Sequence, residues 1–143
     1  MRKILFRGKR IDKGEWVYGY LAVYTDGSCY ITTKIERNIT RYVKGKPFYI
    51  ISCMEYEVDP RTVGQYTGLM DRNGVEIFEG DVIFHHRHKI KAYWEWHADH
   101  ACFVGMEISY DEPLISRYYI RLDEPDLEVI GNIHDNPEHL EVE

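Results

Sequence analysis

The sequence predicts a mainly β protein made of two small antiparallel sheets or barrel-like lobes. Three observations carry that reading. Period-two runs of apolar and aromatic residues occur at 16–24, 90–96 and 127–133. Twelve tyrosines and three tryptophans stand among 143 residues, and large rings fit a pleated surface. Turn chemistry built on Gly, Asp, Asn and Pro interrupts the chain at short intervals, and no long segment carries helical periodicity.

Length and composition bound the rest. One domain spanning 1–143 is the default for this size, divided into lobes at 1–59 and 63–143 by Asp59-Pro60-Arg61-Thr62. Proline there cannot donate to a strand ladder. The formal charge of −6 argues against general binding to a phosphate backbone, which needs a basic face, and leaves room for a local basic patch. Three cysteines without a CxxC pair do not make a disulfide framework and suit reduced, cytoplasmic thiols. No apolar run is long enough for a membrane span. The basic opening Met1-Arg2-Lys3 is followed by no apolar core of a secretory signal.

The elements follow in order. Ile4-Leu5-Phe6 is a short strand, and Lys9 to Glu15 a charged turn. Trp16 to Tyr24 is the strongest N-terminal strand. Trp16, Tyr18, Tyr20 and Ala22 share one face, and Val17, Leu21 and Val23 the other, so the strand reads as central. Gly19 inside it marks a bulge or a close backbone approach. Asp26-Gly27 turns the chain, and Cys29 to Thr33 pairs back. Lys34 to Lys46 is polar and reads as a mobile loop or ragged hairpin. Phe48 to Ser52 and Met54 to Val58 are strand candidates.

The stretch from Gln65 to Ile83 organises the chain. Asp71-Arg72-Asn73-Gly74 has the form of a type I turn: Asp accepts from the backbone two residues on, and Gly takes φ > 0. Leu69 and Met70 before it, with Val75 and Ile77 after it, make a hairpin. Glu79-Gly80-Asp81 is a second turn, feeding a buried strand at Val82-Ile83-Phe84. Residues 84–89 form a polar bend. Ile90, Ala92, Trp94 and Trp96 then point inward, with Lys91, Tyr93 and Glu95 outward. Cys102 to Ile108 returns as a partner strand, Ser109 to Ser116 is a loop, and Arg117 to Leu122 and Leu127 to Ile133 are further strands. Asn136 as N-cap and Pro137 as first residue open a short C-terminal helix. By strand count the second lobe is SH3-like or OB-like, an analogy of fold that says little about function.

Three constellations are candidates for chemistry. Asp71, Glu79 and Asp81 are either metal ligands or turn residues on a solvated edge; their spacing is not that of a calcium loop. Five of the seven histidines, His85, His86, His88, His97 and His100, lie close together in sequence beside Asp99 and Cys102. A strand over 89–96 holds the two clusters roughly 25 Å apart, so one site using both is disfavoured, and the alternative to a local zinc site or metal-dependent enzyme is histidines in surface turns. Arg37, Arg41, Lys44 and Lys46, interleaved with Tyr42, Phe48 and Tyr49, could contact nucleic acid through cations and stacking rings; the alternative is a solvated loop. GxSxG, P-loop, GxGxxG and HExxH patterns are all missing. The reading is therefore non-enzymatic, without a cofactor, acting as a homo-oligomer or on a protein partner. Tyr93, Tyr118 or Tyr119, and Tyr18 or Tyr20 are expected to point partly outward, where rings with polar tips suit an interface.

The run Gln65-Tyr66-Thr67-Gly68-Leu69-Met70-Asp71-Arg72-Asn73-Gly74-Val75-Glu76-Ile77-Phe78-Glu79-Gly80-Asp81-Val82-Ile83 resembles the YopX family of phage and prophage proteins. Phe6-Arg7-Gly8-Lys9-Arg10 with Trp16-Val17-Tyr18-Gly19-Tyr20 is similar to the family's opening, and Val129-Ile130-Gly131-Asn132-Ile133-His134-Asp135-Asn136-Pro137-Glu138 to its close. The resemblance spans nearly the whole chain and is weakest from His85 to Tyr118. It implies a small phage-derived protein that self-associates, and it carries no catalytic residues.

Overall fold

The computed structural model describes residues 1–108 and 126–141. The predicted strand at 117–122 and the outward tyrosines Tyr118 and Tyr119 lie outside them. The chain divides into two compact units, Leu5–Val63 and Gly64 onward, the second including Met1–Ile4.

In the first unit four strands, β1 (Phe6–Lys9), β2 (Trp16–Val23), β3 (Cys29–Val43) and β4 (Lys46–Val58), form an antiparallel sheet in the order β4-β3-β2-β1. Strand β2 is central in sheet order, flanked by β1 and β3, but only one of its apolar faces is covered: Tyr18 and Tyr20 on the other are exposed. Its Val17 and Leu21 pack with Phe6 and Val63 on the buried Cys29, Ile31 and Val58. A Cβ on Gly19 would lie 2.0 Å from the Thr32 carbonyl oxygen; the glycine marks a close approach. Asp59 accepts from the Arg61 N–H and opens a 3-10 turn at Pro60–Thr62.

Segment 34–46 is not a mobile loop. It belongs to a long β3–β4 hairpin closed by a two-residue turn, Lys44-Gly45, with both residues at positive φ (48° and 73°). That geometry is a primed turn whose twist matches the flanking strands. The two strand candidates at 48–52 and 54–58 are one strand, β4.

The second unit has a hairpin, β5 (Gly64–Met70) with β6 (Glu76–Phe78), and a sheet of β7 (Asp81–His85), β8 (Ile90–His97), β9 (Cys102–Glu107) and β10 (Leu127–Asn132) in the order β10-β7-β8-β9. Ile77, Ile83, Ala92, Trp94, Phe103 and Leu127 form its core, with Leu69 and Val129 packed on them. The sheet is open: among the described residues β9 and β10 are opposite edges and no barrel closes. The SH3-like or OB-like expectation fails because strand count does not fix closure, which needs the edges to meet.

Two smaller expectations are also corrected. Trp96 is exposed: it pairs with Phe103 and stands edge-on to it at 5.1 Å, and of the two rings Phe103 is the one buried in the core. The C-terminal helix is one 3-10 turn, Pro137–Leu140. Proline does open it, but the Asn136 side chain does not cap it. Its Oδ1 turns back to accept from Asn132 N at 3.3 Å.

Candidate interaction arm

The residues of the central stretch are spent on holding the second unit together. Asp71, 7% exposed, accepts from Asn73 N (2.8 Å) and Val75 N (2.9 Å) through Oδ1 and from Val129 N (3.0 Å) through Oδ2. It closes its own turn and pins β10 to it. Gly74 takes φ 80°, Gly68 φ 92° and Gly80 φ 84°. Asp81, 2% exposed, accepts from Phe78 N at 2.7 Å. Glu79 accepts from Gln65 N (3.2 Å) and Trp96 N (3.3 Å). Thr67 donates to the Ile77 carbonyl at 2.8 Å, and Tyr66 lies tilted against Phe78. Gly131 has no room for a Cβ beside Asn136, and Asn132 Oδ1 accepts from His134 N and Asp135 N. Residues 65–69 lie in β5, Asp81 opens β7, and Gly131 and Asn132 end β10; Asp71 and Glu79 stand at turns. Asp71 and Asp81 are not on a solvated edge: both are buried, each aimed at backbone N–H groups.

The histidines are dispersed in role. His85 is buried, its Nδ1 accepting from His88 N at 3.3 Å. His86 Nε2 lies 2.5 Å from Glu128 Oε2. Among the described residues no three His, Cys, Asp or Glu side chains are grouped as a metal site. A surface groove of about 460 Å³ runs between Lys9, Arg10, Gly14 and Pro60–Thr62. Its arginines are already engaged, Arg10 with Asp12 at 2.6 Å and Arg61 with Asp59 at 2.8 Å.

The feature that internal packing does not use is the outer part of the β3–β4 hairpin. Strand β2 pairs with β3 only as far as Thr32. Beyond it the two strands continue as a ribbon, with residues 33–43 of β3 spanning roughly 35 Å at the rise of an extended strand. From Thr33 to Glu55 every residue but Pro47 is exposed. Directly paired residues share a face. The pairs Ile35 with Cys53, Arg37 with Ile51, Ile39 with Tyr49, and Tyr42 with Pro47 therefore line one face with a single charge among apolar groups. Ile51 is 68% and Tyr42 66% exposed. The opposite face carries Lys34 with Met54, Glu36 with Ser52, Asn38 with Ile50, and Arg41 with Phe48. Extra residues at Thr33 and Thr40 shift the register and add local twist.

The basic residues expected to meet nucleic acid all lie on this arm or its tip. The Arg37 guanidinium sits 3.5 Å from the centre of the Tyr49 ring, and that of Arg41 5.1 Å from Phe48. Lys44 is in the turn and Lys46 at the start of β4, beside Tyr42 and Val43.

A profile described as YopX protein matches residues 5–141. The chain belongs to the YopX family. No curated protein matches it significantly. Protein EF1440 from Enterococcus faecalis, a crystal structure, is similar in fold: 24% identical, covering 99% of this chain and 100% of its own, with a TM-score of 0.64. Among the described residues of this YopX-family chain no helix is long and apolar enough to cross a membrane. Sequence reading named the arm's cations but missed Ile35, Ile39, Ile51 and Cys53. The signal was present in Phe48-Tyr49-Ile50-Ile51, an apolar run facing no second apolar run.

Proposed function

We propose that this YopX-family chain is a phage- or prophage-derived accessory protein, cytoplasmic and non-enzymatic, that works by binding a protein surface through the β3–β4 arm. One observation carries the reading: a two-stranded ribbon exposes a face of Ile35, Ile39, Tyr42, Tyr49 and Ile51. A ribbon of two strands is at best marginally stable in water, and large contiguous apolar patches mark interaction sites. Cys29, Cys53 and Cys102, none in a disulfide, suit a reducing compartment.

The test compares wild type with Ile39→Glu/Ile51→Glu, both by light scattering and as bait in affinity capture from prophage-carrying cells. The reading expects an assembly or a retained partner that the double variant loses. A monomeric wild type whose retained proteins are unchanged by the double substitution would rule it out.

A second reading has its own support. Thr33 to Met54 holds Lys34, Arg37, Arg41, Lys44 and Lys46 against Glu36 alone, and a basic ribbon with rings suits nucleic acid. Labelled single- and double-stranded oligonucleotides, titrated at two salt concentrations, test it. The metal-dependent alternative expects stoichiometric zinc in purified protein.

A further inference from the structure

We propose that the free edge of β4 takes an extended segment of a different protein as an added strand, antiparallel to β4, basic at its N-terminal end, apolar in the middle and acidic at its C-terminal end. The proposal rests on the arm being the binding element and adds how it binds and what chemistry it fits.

The two outer edges of the arm are built in opposite ways. Beyond Thr32, β3 carries Lys34, Glu36, Arg37 and Arg41 and both bulges, at Thr33 and Thr40. Charges and bulges keep a bare edge from pairing with another chain. On β4 the run Phe48-Tyr49-Ile50-Ile51-Ser52-Cys53-Met54 holds no charge, no proline and no extra residue, and all of it is exposed. Such a run, apolar on both faces and rich in β-formers, suits a strand with a neighbour on either side. Strand order puts β4 at the end of its sheet, so among the described residues one neighbour is missing. An added strand fills that place, with main-chain bonds for affinity and alternate side chains for specificity.

The hydrogen-bond phase of this edge is fixed at its base. Glu57 O accepts from Ile11 N, and Asp59 N donates to Lys9 O, so Glu57 turns its backbone away from β3. With no bulge on β4, alternation then turns the N–H and carbonyl of Glu55, Cys53, Ile51 and Tyr49 outward. The hydroxyls of Thr33 and Thr40 donate to Met54 O and Phe48 O, which marks the alternate residues as facing β3. Charge sets the direction of the incoming strand. Lys44 and Lys46 stand at the tip end of the edge, Glu55 and Glu57 at its base. Antiparallel pairing brings the partner's N-terminal end to the glutamates and its C-terminal end to the lysines. A second copy is disfavoured. A two-fold axis at Ile51 sets Pro47, which has no N–H, opposite Glu55 at both ends, and brings together two bodies that each carry −10 outside residues 33–54. A phosphate backbone accepts hydrogen bonds without donating them, and so leaves the carbonyls of the edge unpaired.

The test titrates the full chain with a fluorescent synthetic peptide of two lysines, eight alternating valines and threonines, and two glutamates, in that order. Binding is expected at micromolar concentration, and about tenfold weaker when lysines and glutamates are exchanged. Cys53→Pro removes one outward N–H without touching the β3 ladder and should weaken binding about tenfold or more. Cys53→Ser and Ile39→Glu keep the edge and should bind as wild type does. Circular dichroism checks that Cys53→Pro folds. Independently of any variant, N-methylation of alternate peptide residues should abolish binding in one phase and spare it in the other. A peptide that does not bind, or that binds Cys53→Pro and both methylated phases equally, overturns the proposal. A wild-type dimer that Cys53→Pro dissociates overturns the foreign strand in favour of a second copy. An oligonucleotide that binds the arm and displaces the peptide overturns it in favour of nucleic acid. A cellular partner lost in Ile39→Glu/Ile51→Glu but held by Cys53→Pro overturns the added strand and leaves the arm's face as the binding element. A partner indifferent to every arm variant overturns both.

Discussion

Asp71 lies with both carboxylate oxygens facing backbone N–H groups, from Asn73, Val75 and Val129. Burial alone would raise its pKa. The three donors, with Arg72 nearby, outweigh burial and hold the carboxyl below its ordinary value. A carboxyl whose pKa is lowered by folding stabilises the fold above its unfolded value, near 3.9, and that contribution is lost as pH falls through the folded value. Asp71→Ala should cost about 3 kcal/mol at neutral pH, since buried donors are left without a charged acceptor. Urea melts at pH 7 and pH 3 should show the cost shrinking at the lower pH; an equal cost at both would mean the charge is not what matters. The type I turn and the φ > 0 at Gly74 were legible because Asp and Gly have local roles. The burial of Asp71 was not, because its third donor, Val129, is 58 residues away. Gly74→Val should cost more than about 1 kcal/mol, since a β-branched residue is strained at φ 80°. Gly19→Ala should cost more than Gly74→Ala, because a backbone oxygen occupies the space; the order of the denaturation midpoints checks it.

At the scale of the element, strands that build a core were readable, while the arm was legible only as one of two alternatives, a ragged hairpin beside a mobile loop. Ala92 and Trp94 are buried as the alternation at 90–96 demands. Period-two patterning arises where one face meets a core and the other water. The outer arm meets no core, so Ile35 and Ile39 alternate with nothing systematic, and the turn is Lys44-Gly45 where Asn-Gly is the stronger signal. The short helix expected at Pro137 failed for a related reason: Asn136 has a competing partner, Asn132, that its sequence position does not reveal. If the arm contributes nothing to the first unit's core, replacing residues 34–53 by Asn-Gly should leave its thermal midpoint within a few degrees, because Cys29, Ile31 and Val58 keep their packing. The same variant should be monomeric. Collapse of the fold on this replacement would show that the arm is structural.

At the scale of the whole molecule, the separation of charge gives the binding readings different salt responses. Five basic residues sit on the arm while the chain totals −6. If they bound a phosphate backbone, displaced counterions would make affinity fall with salt at a log–log slope near −0.9 per contact for duplex DNA. Five contacts then lose roughly 10²–10³ in affinity between 50 and 200 mM salt. An assembly built on the arm's apolar face has Arg37 as the one charge among its apolar residues, an exposed charge screened within about 10 Å at 0.1 M beside an apolar contact that salt does not weaken. Salt also screens the repulsion between the acidic bodies. Sedimentation velocity over the same salt range should therefore change the dissociation constant of that assembly by no more than about threefold, because attraction lost at the arms is offset by repulsion lost between the bodies. A loss of a hundredfold would place phosphate, not isoleucine, at the centre of what the arm recognises.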